Sequence, residues 1–141
     1  MRRLIMFVVL AAALAGCAEV QPAAAAPPPG CSGYVRTELF FGTTRQGGPE
    51  ISDAEFRAFL DAEITPRFPD GLTMLTGFGQ FRGADGKLAR ERSQVLVLLY
   101  PVNTAPDSGT KIDQIRELYK RKFNQESVLR ADDPEPSCVS F

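Results

Sequence analysis

Five consecutive apolar residues, Val95-Leu96-Val97-Leu98-Leu99, constrain this chain more than any other stretch. After a polar approach (Arg90, Glu91, Arg92, Ser93), a run of that kind predicts a strand buried on both faces. Such a strand is central to a sheet, so the rest of the chain must supply its neighbours. Tyr34 to Phe41 (YVRTELFF) alternates, with Val35, Thr37, Leu39 and Phe41 on one face and Tyr34, Arg36, Glu38 and Phe40 on the other. That pattern predicts a strand with one apolar and one mixed face. Leu72 to Arg82 predicts a further strand, loosened by Gly77 and Gly79, and Gly83-Ala84-Asp85-Gly86 predicts the hairpin turn that leads into the apolar strand.

Two helices are expected between these strands. The first starts at a capping box, Ser52 with Glu55, flanked by Ile51 and Phe56 at the hydrophobic-staple positions. Phe56, Phe59, Leu60 and Ile64 continue it as one apolar stripe, and Thr65-Pro66 ends it. The second is expected to begin near Thr110, after a Pro101–Gly109 loop, with Ile112, Ile115, Tyr119 and Phe123 on one side. Lys120-Arg121-Lys122 falls in its last turns, where cations suit the helix dipole. Val128 to Arg130 and Cys138 to Phe141 then read as two pieces of a last strand, broken by Pro134 and Pro136.

The order strand, helix, strand, strand, helix, strand predicts an α+β fold: a ferredoxin-like βαββαβ sandwich, with a four-stranded antiparallel sheet and two helices on one face. In the sheet order 4-1-3-2 the start of the first strand meets the end of the last. Cys31 and Cys138 occupy those two positions, which predicts a disulfide; the alternative is two free buried thiols. On the chain-entropy model, closing so long a loop contributes about 4–5 kcal/mol at most. Helices on one face leave the other face of the apolar strand uncovered. A second copy, the Gly42–Glu50 loop or an apolar ligand is expected to cover it.

The N-terminus carries a different message. Arg2 and Arg3 precede an apolar run ending in Leu14-Ala15-Gly16-Cys17, the layout of a secretory signal. The run is too short to span a bilayer, which takes about 20 residues. It is similar to the lipobox of bacterial lipoproteins, in which the cysteine is lipidated. Residues 1–16 are therefore expected to be a signal peptide, 17–30 a lipidated Cys17 with an Ala/Pro-rich tether reaching about 40 Å, and 31–141 a single domain. Ala18 in place of Asp resembles the outer-membrane sorting pattern, which implies the periplasmic side of the outer membrane in a Gram-negative host.

Composition narrows the chemistry. The chain has 141 residues, a formal net charge of −1, three cysteines and no histidine. Loss of Arg2 and Arg3 leaves the domain mildly acidic, so no nucleic-acid partner is expected. The commonest general base and metal ligand are missing, and no CxxC spacing offers a zinc site. No metal and no cofactor are expected. A candidate cluster gathers on or beside the uncovered face: Arg36, Glu38, Arg45, Arg67, Gln80, Arg82, Glu91 and Ser93. Glu38 sits mid-strand, where an acid needs a partner, and arginines can supply one. The cluster reads as a structural ion-pair network, as a pocket for a small anionic or polar ligand, or as a catalytic site with Glu38 or Glu91 as base. Ser93 lacks an activating histidine, an SxxK lysine and a GxSxG elbow, so no nucleophile and no catalytic residue is assigned.

Several stretches together resemble a known family. They are Glu38-Leu39-Phe40-Phe41-Gly42-Thr43 with Arg45, Ile51 before Ser52-Asp53-Ala54-Glu55-Phe56, and Thr65-Pro66-Arg67-Phe68-Pro69-Asp70-Gly71-Leu72-Thr73. Gly79-Gln80-Phe81-Arg82, Glu91 with Ser93, and Tyr119-Lys120 through Phe123, Gln125, Ser127 and Val128 complete the match. On these residues the chain is similar to domain-of-unknown-function family 3574, bacterial secreted proteins and lipoproteins; the family often has Trp where Phe81 stands. The resemblance implies a secreted domain and lends no catalytic residues. Two functional readings result: a non-catalytic binding or interaction module anchored in the cell envelope, with a homodimer through the uncovered face, or a cofactor-independent enzyme of the dimeric α+β barrel type acting on a small organic molecule near Glu38.

Overall fold

The computed structural model describes residues 29–45, 47–82 and 86–141, without the side chains of Phe81 and Ala89. The expected signal peptide, Cys17 and the tether as far as residue 28 lie outside the described residues, as does most of the hairpin turn. In chain order the elements are β1 (Ser32–Gly42), α1 (Asp53–Phe59), β2 (Thr73–Arg82), β3 (Leu88–Pro101), α2 (Ala105–Phe123), β4 (Leu129–Asp132) and β5 (Ser137–Val139). The strands form one antiparallel sheet in the order β2-β3-β1-β4, with β5 also pairing β1. The sheet thus has five strands where four were expected. Pro134 and Pro136 lie between the last two segments and cannot donate to a ladder, so β4 and β5 pair with β1 as separate short strands.

The alternation in β1 sorts its side chains as expected. Thr37, Leu39 and Phe41 point into the core with Leu96, Leu98 and Tyr100 of β3, and all are buried. Buried Thr37 is satisfied by the Tyr100 hydroxyl at 2.9 Å, which keeps a polar side chain tolerable there. Onto this face pack Ile51, Phe56 and Phe59 from the first helical segment and Ile112, Ile115, Tyr119 and Phe123 from α2. Their rings pack edge-on, Phe41 to Tyr119 at 4.7 Å and Phe59 to Tyr119 at 5.3 Å, geometries in which aromatic pairs gain beyond area alone.

Both helices depart from expectation in detail. The capping box is present, with Ser52 accepting from the Glu55 N–H and Glu55 accepting from the Ser52 N–H. After Phe59, however, the helix widens into a π-helical turn, Leu60–Ile64, closed by the Thr65 N–H donating to the Leu60 carbonyl at 2.9 Å. The wider turn keeps Ile64 facing the core beside Phe59 before Pro66 stops the helix. α2 begins at Ala105 rather than near Thr110, preceded by a 3-10 turn, Val102–Thr104. Pro106 sits in its first turn, where a missing N–H costs nothing, so the segment expected as a loop is helical. It ends at Asn124, whose φ of 54° makes the left-handed C-cap.

Cys31 and Cys138 are joined by a disulfide beside the β1–β5 pairing, with Cα atoms 5.4 Å apart. Beyond Ser93, β3 no longer meets β1, yet β2 and β3 stay paired as far as Arg82↔Leu88. Their ends therefore project as a two-stranded ribbon carrying Phe78, which is 95 % exposed. The apolar run of β3 is buried only on its helix side. Val95 and Val97 are half-buried and Leu99 is exposed, because among the described residues no helix or strand covers the opposite face.

Candidate functional site

Register places Arg36 and Glu38 on the uncovered face of β1, with Glu38 opposite Val97 on one side and Ala131 on the other. Two residues apart on a strand, they share that face. The Arg36 guanidinium donates directly to the Glu38 carboxylate, and Asp133 stands 3.9 Å from the guanidinium on its other side. The side chain of Glu38 retains 26 % of its exposure. Among the described residues its arginine partner is the neighbour on its own strand, since Arg45, Arg67 and Arg82 lie on other segments.

Glu91 and Ser93 lie on the same face at the root of the ribbon. The Ser93 hydroxyl reaches the Phe41 carbonyl at 3.4 Å, and Glu91 accepts the Thr44 N–H at 3.2 Å. The Glu91 carboxylate lies over Gly42, so closely that a Cβ there would stand 2.8 Å from both its oxygens. Glycine at that position is what lets the acid fold across the end of β1. The Tyr119 hydroxyl donates to the Gly42 carbonyl from the core side at 2.9 Å, and burial, with Glu91 nearby, pushes its pKa up.

The other expected members separate. Gln80 and Arg82 share the β2 face of Met74 and Thr76, opposite to that of Glu91, where Gln80 accepts from Arg90 at 2.9 Å and Arg82 donates to the Gly86 carbonyl at 2.8 Å. Arg45 donates to Glu55 at 2.6 Å and lies 5.4 Å over the Phe123 ring. With the Ser52 N–H as the largest cause and Arg45 next, Glu55 is held down to about 2. Arg67 binds the Glu63 carboxylate at 3.0 Å and the Glu63 carbonyl at the π-helical turn. The cluster expected as one site is therefore several local ion pairs. Salt-bridge partners close in sequence (Arg36–Glu38, Arg67–Glu63) were legible from spacing; the fold alone decides that they do not converge.

Arg92 was not among the expected residues, and it joins three separate groups. It donates to Asp53 at 2.8 Å, to Glu50 at 3.2 Å and to the Ile51 carbonyl at 3.3 Å. The Thr43 hydroxyl donates to Glu50 at 2.6 Å, the Thr43 N–H donates to the Arg92 carbonyl at 3.2 Å, and Gln125 donates to the Thr44 carbonyl at 2.6 Å. Thr43 holds Glu50 low by hydrogen bonding, more strongly than Arg92 does. These bonds tie the described residues Thr43, Thr44 and Glu50 of the Gly42–Glu50 loop to Arg92 and to the helix layer. The sequence signal was present, an arginine in a polar approach to an apolar strand, but its acidic partners are some forty residues away in sequence.

Two surface depressions stand out among the described residues. One, of about 620 Å³, is an open groove at the ribbon root bounded by Thr44, Glu50, Phe78, Gly79, Glu91 and Arg92. The other, of about 550 Å³, runs along α2 past Arg67, Asp113, Glu117 and Arg121. Neither includes Glu38. Among the described residues no group of three or more His, Cys, Asp or Glu side chains converges as metal ligands would, and no helix is long and apolar enough to cross a membrane.

The fold is similar to that of solved proteins of low sequence identity. A phage SAM lyase in complex with S-methyl-5'-thioadenosine superposes with a TM-score of 0.59 at 14 % identity, over 78 % of this chain and 92 % of that one. The same type of enzyme in its apo state gives 0.56 at 14 % identity, over 84 % and 97 %. CutA from Synechococcus elongatus gives 0.47 at 11 %, over 75 % and 80 %. At such identities the likeness is one of fold. No curated protein matches the chain. Residues 36–141 match the model described as Protein of unknown function (DUF3574), and the chain belongs to that family.

Proposed function

We propose that this protein is a lipid-anchored interaction module of the cell envelope, held by Cys17 and its tether, with a ferredoxin-like body that works without catalysis. The observation that carries this reading is the state of Glu38. A catalytic base in a barrel-type enzyme needs a free carboxylate facing an enclosed cavity. Glu38 instead lies on an open sheet face, tied to Arg36, with apolar Val97 and Ala131 as its lateral neighbours. Around it the exposed side chains are those of a contact surface: Leu75, Leu99 and Leu129. The lipobox pattern at Leu14–Cys17 supports the anchor, and the signal supports an exported, disulfide-permissive location.

The test is stabilisation by small molecules. A ligand that binds only the folded state raises its melting temperature, by an amount set by concentration over Kd. A metabolite library that includes S-methyl-5'-thioadenosine is expected to leave the Tm of the full chain unchanged. A saturable rise that Glu38→Gln abolishes would favour the small-molecule enzyme instead. For the anchor, mass spectrometry of the mature N-terminus is expected to find a diacylglyceryl group on Cys17, and an unmodified terminus would remove that part of the proposal.

A further inference from the structure

Read across the sheet, the open face has a continuous stripe. Leu75 of β2 lies opposite Val95 of β3, Val95 opposite Phe40 of β1, and Phe40 opposite Leu129 of β4. The stripe crosses the sheet from edge to edge. Its ends are well exposed, Leu75 at 55 % and Leu129 at 62 %. A monomer gains nothing by holding large aliphatic groups in water on the sheet's one uncovered face. We propose that a second copy of this chain covers this face, stripe against stripe; this deepens the reading of the protein as an interaction module and rests on it.

Four features favour a second copy over other occupants. The stripe is self-complementary: a two-fold axis in the contact plane, whether along the stripe or across it, sets the stripe on its own copy, as an isologous contact requires. Within the Tyr34–Gly42 span β1 and β3 run the full length while β2 and β4 flank only part of it, so the face presents about 400 Å² per copy, and two copies bury about 800 Å², the size of a weak, concentration-dependent contact. The row beside the stripe is low at its β2 end, while the Glu91 carboxylate stands over Gly42 at the other. Gly77 stands opposite Ser93, and a Cβ on Gly77 would meet open space, so another sheet can approach closely there. Finally, the charges on the face suit it. Arg36 and Glu38 neutralise one another, so covering them strands no lone ion, while Asp133 and Glu91 make the margins acidic and disfavour an anionic headgroup surface.

The experiment is the mass of the full chain in mild detergent, by sedimentation and light scattering at micromolar concentration. An assembly of two or more copies is expected. Leu75→Glu and Leu129→Glu are each expected to raise its dissociation constant at least tenfold while leaving the Tm of the dissociated chain unchanged, since both side chains are exposed in a single copy. In a Leu75→Cys variant, a disulfide-linked pair places the axis along the stripe, and a pair only with Leu129→Cys places it across. A wild-type monomer overturns the proposal, and so does an assembly that both glutamate substitutions leave intact. A monomer that no metabolite stabilises still fits an interaction module with another partner, whereas ligand-induced stabilisation of an intact assembly refutes the module and keeps the contact.

Discussion

Leu39, Leu96 and Leu98 on the helix side of the sheet are wholly buried, whereas Leu75, Leu99 and Leu129 on the opposite side are largely exposed, although several of these residues alternate on the same strand. The helix side is closed by five mutually packed rings, Phe41, Phe56, Phe59, Tyr119 and Phe123, and its polar groups are satisfied from within the chain. The open side mixes aliphatic groups with Arg36, Glu38 and Ser93, and among the described residues no helix or strand lies above them. Its acid, Glu38, is neutralised along its own strand rather than across a pocket. Leucines thus stand in two settings: on one face they build the core, on the other they lie exposed beside charged neighbours.

The largest expected contrast is between core and stripe. Phe59→Ala should cost about 3–5 kcal/mol in denaturant unfolding, because it leaves a cavity within the ring cluster. Leu75→Ala should cost less than about 1 kcal/mol in a dissociated chain. Equal losses would mean that the open face is also part of the folded core. Next comes the disulfide. Cys138→Ser frees a loop spanning a sequence separation of 107 and should cost about 2–4 kcal/mol, without changing the sheet order that hydrogen exchange reports.

A smaller effect tests the boundary between the two faces. Gly42→Ala drives a methyl towards the Glu91 carboxylate, the far end of a side chain that can swing aside, and should cost less than about 1 kcal/mol; with Glu91→Ala already present, most of that cost should vanish. Additive losses in that cycle would show that Gly42 matters for some other reason. The smallest effect concerns Glu55 at the mouth of the helix layer. Its carboxyl falls from an ordinary 4.5 to about 2 on folding, so its contribution is whole above about pH 4.5 and is lost as pH falls towards 2. Glu55→Gln should flatten the acid limb of stability in that window and leave stability at neutral pH less affected by further acidification. An acid limb unchanged by the substitution would remove Glu55 from the account.

Periodicity in single segments was the readable part. The alternation in β1, the capping box at Ser52 and the stripe Ile112, Ile115, Tyr119, Phe123 all report burial directly, since each element samples its surroundings with its own period. Element ends were less legible. Pro106 reads as a breaker in isolation, yet in a first helical turn it is harmless, so α2 starts earlier than expected. The π-helical turn at Leu60–Ile64 has no sequence signature of its own; it arises where a stripe must keep facing the core up to Pro66.

The members of the candidate cluster lie apart for a more general reason. Arg45, Arg67, Gln80 and Arg82 were grouped with Glu38 by residue type, and ion pairs are chosen by proximity. Spacing reveals partners two to four residues apart, such as Arg36–Glu38 and Arg67–Glu63, and is silent on Arg92 with Asp53 or Arg45 with Glu55. Those pairings depend on where β3 and the loop after β1 come to rest.

By itself, the chain's residue order determined that a mixed α+β domain would form around one apolar strand, with its two distal cysteines close enough to bond. Local hydrophobic period and chain connectivity are sufficient for that, since each follows from neighbours in sequence. Only the tertiary structure decided which face of the apolar strand would be covered, and that the polar residues would settle into separate pairs. Both are questions of distance between segments far apart in sequence, and distance is set by the packing of the whole chain.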